Sequence, residues 1–140
     1  MKPQIVSQYV QSGKVKFEFR DYAFIGPESK LAAQGADCAA NQGKFWEYHD
    51  TLYANQPKEN SGKVTKGYLK TIASKLGLNT GDFNQCLDSG ATAKQVQQDL
   101  DSAQQQKLPG TPTIFVNGQQ LQSATWDSVR AAIEAELKKS

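Results

Sequence analysis

The chain holds one histidine, one methionine and two cysteines among 140 residues, and no C-x-x-C pair. A zinc site of four protein ligands would have to draw on carboxylates, and no metal-ligand spacing is present. No metal and no cofactor is implied. An excess of one charge is missing too. Sixteen Lys and Arg against 14 Asp and Glu leave a formal net charge of +2, interspersed except at Lys138 and Lys139. Neither nucleic acid nor an anionic membrane surface is therefore indicated as a partner. No stretch approaches the roughly 18–20 apolar residues of a membrane span. The opening M-K-P-Q-I-V has no apolar run of the kind a signal peptide carries. Taken literally, these absences describe a cytosolic protein. The length suits one domain, or part of one, with a real core.

Cys38 and Cys86 disagree mildly with that compartment. They stand far apart, and two readings are open. Either both are buried free thiols, since cysteine is among the most buried residue types, or one disulfide closes a long loop and implies an oxidising environment.

The hydrophobic pattern runs helix, strand, several helices, hairpin, helix. Ile5, Val6, Tyr9 and Val10 form a short helical stripe that Gly13 stops. In V-K-F-E-F-R (15–20), Val15, Phe17 and Phe19 alternate with Lys16, Glu18 and Arg20, which predicts a strand with one buried face. After Gly26-Pro27 the next eighty or so residues read as helix. L-A-A-Q-G-A-D-C-A-A (31–40) is small enough for close packing, and Phe45, Tyr48, His49 and Leu52 share a face of 44–53. Q-P-K-E-N-S-G (56–62) is a polar loop. Helical stripes follow at Leu69, Ile72, Ala73 and Leu76, at Phe83, Cys86 and Leu87, and at Val96, Leu100 and Ala103. T-I-F-V-N-G-Q-Q-L predicts a hairpin, because Asn117-Gly118 is the preferred pair for a type I′ turn. Thr125 is placed to cap a last helix lined by Trp126, Val129, Ile133 and Leu137.

One stretch resists this simple reading. In K-L-P-G-T-P-T-I-F-V-N-G (107–118), Pro112 sits between two threonines just before a strand. Proline cannot donate to a sheet ladder, and only about 5–6% of X–Pro bonds in folded proteins are cis. A trans proline opening a strand is the default.

Four segments, taken in order, resemble the thioredoxin superfamily in its DsbA-like branch. They are G-K-V-K-F-E-F-R-D-Y (13–22), A-D-C-A-A-N-Q-G-K-F-W-E-Y-H-D-T-L-Y-A-N-Q (36–56), F-N-Q-C-L-D-S-G (83–90) and G-T-P-T-I-F-V-N-G (110–118). The resemblance implies an exported bacterial thiol–disulfide oxidoreductase, periplasmic or otherwise extracytoplasmic, that acts on cysteines of other proteins. It implies that Pro112 is cis and that Gly110, Thr111 and Pro112 form the substrate-docking loop. There the main chain of Thr111 would pair with an extended substrate like an added strand. It also implies that Cys38 and Cys86 form a structural disulfide.

The same resemblance defines what has no counterpart. Members begin with a strand followed by C-x-x-C at a helix N-terminus, where the dipole stabilises the attacking thiolate. This chain offers no residue matching that strand or either catalytic cysteine. The fold class expected is α/β: an incomplete thioredoxin-like, DsbA-like fold with a helical insertion. Its central strand is absent, leaving the sheet open to rearrangement or to strand exchange in a homodimer. Residues 1–25 and 107–140 would form the thioredoxin-like parts and 26–106 the helical insertion with its return helix. No catalytic residue is expected in this chain, which reads as a truncated enzyme, redox-inactive toward protein substrates. The alternative is a non-catalytic module of the same fold that binds peptides or a partner.

Six other positions have bland readings. His49 lies mid-helix without a nucleophile at helical spacing, which favours a packed or capping role. Trp46, Tyr48 and Tyr53 are expected in the core between helices rather than in a peptide groove. Glu18 and Asp21 are expected on a solvated strand face.

Overall fold

The computed structural model describes every residue, Met1–Ser140. The chain divides into two compact units. One contains Asp21–Gln106; the other joins Met1–Arg20 to Lys107–Ser140.

The Asp21–Gln106 unit is all helix and loop: α2 (Pro27–Ala40), α3 (Phe45–Ala54), α4 (Lys66–Lys75), α5 (Thr80–Ser89) and α6 (Ala93–Gln105). The first of these starts where Pro27, preset for helical φ and needing no N–H partner, follows Gly26. Thr65 caps α4 by accepting the Tyr68 N–H at 3.1 Å. Asn79 caps α5 by accepting the Asp82 N–H at 3.0 Å. At the other end of α5, Gly90 adopts φ 66° and closes the helix in the left-handed conformation.

The helical faces meet in one core built on Tyr48, Leu69, Phe83 and Leu87, each no more than 1% exposed. The Tyr48 and Phe83 ring centroids lie 5.4 Å apart. The Tyr48 hydroxyl donates to the Leu69 carbonyl at 2.9 Å, so its one polar atom is satisfied inside the core. Burial pushes that phenol's pKa well above the ordinary value. Gly35 comes so near that a Cβ placed on it would lie 3.0 Å from the Tyr48 oxygen. The Cys38 and Cys86 sulfurs are bonded, joining α2 to α5 with a Cα–Cα distance of 5.9 Å. A bond closing a loop of 48 residues contributes roughly 4 kcal/mol in the chain-entropy account.

The second unit contains α1 (Lys2–Ile5), continued by a π-helical stretch Val6–Val10, then the hairpin β1 (Phe115–Val116) and β2 (Gln119–Gln120), and finally α7 (Trp126–Leu137). The stripe predicted near the N-terminus is helical, and Gly13 follows it at φ 72°. Thr125 caps α7 as expected, accepting the Ser128 N–H at 3.4 Å. Asn117 and Gly118 adopt φ 47° and 80°, the double positive φ that a type I′ turn requires. Ile5, Tyr9, Val129 and Ile133 form the core, with Val15, Phe17, Ile114, Val116 and Leu121 packed around it. The Tyr9 hydroxyl donates to Glu134 Oε1 at 2.5 Å, tying the N-terminal helix to α7.

Residues 15–20 do not form the strand that their alternation predicts. The sheet has two strands, β1 and β2, and no ladder at 15–20. Val15 and Phe17 are half-buried against the core, while Phe19 is 40% exposed. Side-chain alternation sets which residues face in, but a strand also needs a hydrogen-bonding neighbour. That neighbour is not found at 113–117.

Candidate functional site

The loop that carries Gly110, Thr111 and Pro112 lies within the second unit, between Lys107 and β1. Lys107 turns the chain at φ 53°, and Gly110 follows at φ 148°, a conformation only glycine adopts freely. The Thr111–Pro112 peptide bond is cis. Thr111 and Pro112 are exposed and Gly110 is half-buried. The Thr113 hydroxyl donates back to the Gly110 carbonyl at 2.5 Å and closes the loop on itself. Beside it lies an open depression of about 360 Å³ lined by Pro109, Pro112, Thr113, Ile114, Leu121 and Ala124. Gln120 and Gln122 complete its lining, so the surface mixes polar groups with apolar side chains.

The hairpin register determines what the loop leads into. Phe115 stands opposite Gln120 and Val116 opposite Gln119. The Leu121 N–H donates to the Ile114 carbonyl at 2.9 Å. In an antiparallel ladder, hydrogen-bonded and non-hydrogen-bonded pairs alternate. With Ile114 and Leu121 bonded, Phe115 falls on a non-hydrogen-bonded position. Its N–H and C=O, and those of Thr113, therefore point away from β2. The Phe115 side chain is 41% exposed on this edge. The cis proline loop and a free sheet edge are thus consecutive in the chain. Sequence periodicity does not reveal such an edge, because the outward-facing groups are main-chain atoms common to every residue.

A different cluster forms in the helical unit. Asp21 is not on a solvated face. It is half-buried with Asp37 of α2 and Asp99 of α6, and its N–H donates to Asp99 Oδ2 at 3.2 Å. Burial first, then the Asp37 and Asp99 charges, push the Asp21 carboxyl up to about 7. Burial and Asp99 push Asp37 up to about 6. Gln95 Nε2 donates to the other Asp99 oxygen at 2.9 Å. No sequence spacing links the three aspartates, so tertiary folding alone assembles them. Glu18, by contrast, does lie on an exposed stretch, paired with Lys16.

The aromatic residues of α3 divide. Tyr48 is in the core and Trp46 half-buried, whereas Tyr53 is 63% exposed and outside the core expected for it. Leu52 beside it still packs on the core, but Tyr53 lies about 140° round α3 from Tyr48 and so faces outward. His49 is packed: its ring centroid is 4.8 Å from that of Tyr53 and 5.4 Å from that of Trp46. Its Nδ1 lies 2.9 Å from Asp50 Oδ1, and no nucleophile accompanies it.

The thioredoxin family pattern matches residues 1–135. The chain belongs to the thioredoxin family, in its DsbA-like branch. This DsbA-like chain is similar to the probable disulfide bond formation protein D of Bacillus cereus, at 33% identity over 98% of its own length and 65% of that protein's. With disulfide bond formation protein D of Bacillus subtilis it shares 33% identity over 97% of its length and 63% of the relative's. The chain therefore spans just under two thirds of the curated relatives it matches. Among solved structures, oxidised BdbD from Bacillus subtilis superposes with a TM-score of 0.86 at 32% identity, over 97% of this chain and 76% of that one. A thioredoxin-like oxidoreductase from Silicibacter pomeroyi has the same fold, with a TM-score of 0.65 at 24% identity over 86% of this chain and 67% of that one. The fold is thioredoxin-like in the DsbA manner, mostly helical, with a small two-stranded sheet.

Proposed function

We propose that this chain is the C-terminal portion of a DsbA-like thiol–disulfide oxidoreductase acting on cysteines of extracytoplasmic proteins, and that these 140 residues dock substrate without turning it over. The observation that carries this reading is the Gly110-Thr111-Pro112 loop, exposed at Thr111 and Pro112, running directly into the open main-chain edge at Thr113 and Phe115. An extended peptide adds to such an edge as a strand, gaining main-chain hydrogen bonds whatever its sequence. The mixed polar and apolar depression beside Pro112 would receive an alternate side chain. Cys38 and Cys86 would serve as the structural disulfide of a helical insertion.

Catalysis needs more. Thiol–disulfide exchange requires an accessible thiolate to attack and a second thiol to resolve the mixed disulfide. Both cysteines of this chain are bonded to each other, and Cys38 is 1% exposed. The expected outcome is that the chain reduces insulin, and oxidises a reduced test protein, no faster than its Cys38→Ser/Cys86→Ser variant. A clear excess of the unmodified chain over that variant sinks the reading.

A second reading is a non-catalytic module that binds peptides or a partner through the same loop, favoured by the lack of any free cysteine. In that case the open edge would serve a lasting complex, including a strand-exchanged homodimer. Sedimentation across a concentration series separates the two: a monomer throughout argues against self-pairing.

A further inference from the structure

The Cys38–Cys86 bond is asymmetric in its surroundings. Cys38 is 1% exposed in the middle of the helical core, and its Sγ has the Thr92 hydroxyl at 3.9 Å. That hydroxyl already donates to the Gln34 carbonyl at 3.0 Å, closing α2 over the sulfur. Cys86 is only partly buried, in the last turn of α5. The amide of exposed Asn41 lies 3.8 Å from its Sγ. One cysteine is enclosed by packed protein and the other is only partly covered.

Thiolate attack on a disulfide proceeds at whichever sulfur the incoming group can reach, and the other sulfur leaves. We propose that Cys86 is a thiolation site for small monothiols, opened from the outside at its Sγ alone. The incoming thiolate bonds to Cys86 Sγ, the Sγ–Sγ electron pair departs with Cys38, and Cys38 takes up the proton that the thiol lost. One disulfide is exchanged for another, so this step needs no oxidant. A second thiolate can then displace Cys86 and reduce the pair fully, leaving the small thiol as its own disulfide.

This inference goes beyond the docking reading and does not depend on it, because the disulfide lies in the other compact unit.

The test uses the unmodified chain. β-Mercaptoethanol is added under native conditions, the reaction is stopped with acid, released thiols are alkylated in denaturant, and the peptides are mapped by mass spectrometry. Each half-opened molecule then carries mercaptoethanol on one cysteine and the alkyl label on the other. Mercaptoethanol on Cys86 should exceed mercaptoethanol on Cys38 by about tenfold or more, as access controls exchange. In the urea-unfolded chain the bias should fall toward parity. Equal labelling in the native chain, a bias persisting in urea, or a native bond inert at thiol concentrations that open the unfolded chain would each overturn the proposal.

Discussion

The two compact units solve the same problem unequally. The helical unit closes its own core, with Tyr48, Leu69, Phe83 and Leu87 essentially sealed and a covalent tie between α2 and α5. The sheet-containing unit buries only Ile5, Tyr9, Val129 and Ile133 to the same class and leaves β1 with a free edge. A helix satisfies its main chain internally, so helices need only apolar faces to become self-sufficient. A strand borrows half of its hydrogen bonds from a neighbour, so a sheet remains incomplete until every edge is paired, covered or blunted. Stability and incompleteness are therefore partitioned, and the candidate site lies on the incomplete side.

The sharpest way to break the contrast is to remove the covalent tie. Cys38→Ser/Cys86→Ser should lower the unfolding free energy of the helical unit by about 4 kcal/mol, read as a loss of hydrogen-exchange protection in α2 and α5. A loss below about 1 kcal/mol would mean that the apolar core alone carries the unit.

A subtler probe is the contact between Gly35 and Tyr48. Tyr48→Phe removes a buried hydrogen bond and should cost about 1 kcal/mol. Gly35→Ala gains helix propensity but presses the Tyr48 oxygen, so alone it should be close to neutral. Combined with Tyr48→Phe it should recover roughly 0.5–1 kcal/mol. Strict additivity in denaturant titrations would show that the two residues do not meet.

Acidity acts on the helical unit as well. Asp21 and Asp37 have folded-state pKa values raised to about 7 and about 6. Their stabilising protonated forms are fully present below the unfolded value near pH 4 and are lost as pH rises through 6 and 7. The melting temperature should therefore fall between pH 5 and pH 8, and Asp21→Asn should flatten that slope. A flat profile in the unmodified chain contradicts the half-buried trio.

The smallest expected effect on stability lies at the open edge. Phe115→Lys places a charge on an exposed position and should change folding stability by less than about 0.5 kcal/mol. It should nonetheless abolish strand addition, whether by a peptide or by a second copy. Unchanged peptide affinity in a fluorescence titration would remove Phe115 from the docking surface.

How much of this was legible beforehand depends on where the information resides. The helical unit could be read from its 3.6-residue stripes, and Asn117-Gly118 announced its turn. Pro112 as a cis residue came from the family resemblance and from no local rule. The segment 15–20 misled because alternation records burial, while pairing depends on a neighbour that no single segment encodes. Asp21 misled for a related reason: its partners Asp37 and Asp99 come from two other helices. Tyr53 shows the converse: aromatic character does not ensure burial, and this ring lies on the outward face of α3 while its neighbour Leu52 packs on the core.

The second unit draws its residues from both ends of the chain, and its Tyr9–Glu134 hydrogen bond spans 125 positions. The core of the helical unit, whose last buried residue is Ala103 of α6, precedes Val129 in the chain. During synthesis from the N-terminus, that core can form while Val129 and Ile133 are still untranslated, so Ile5 and Tyr9 wait for their partners until the last helix emerges. The order of birth thus favours the helical unit as the first to fold and makes closure around α7 the late, non-local step.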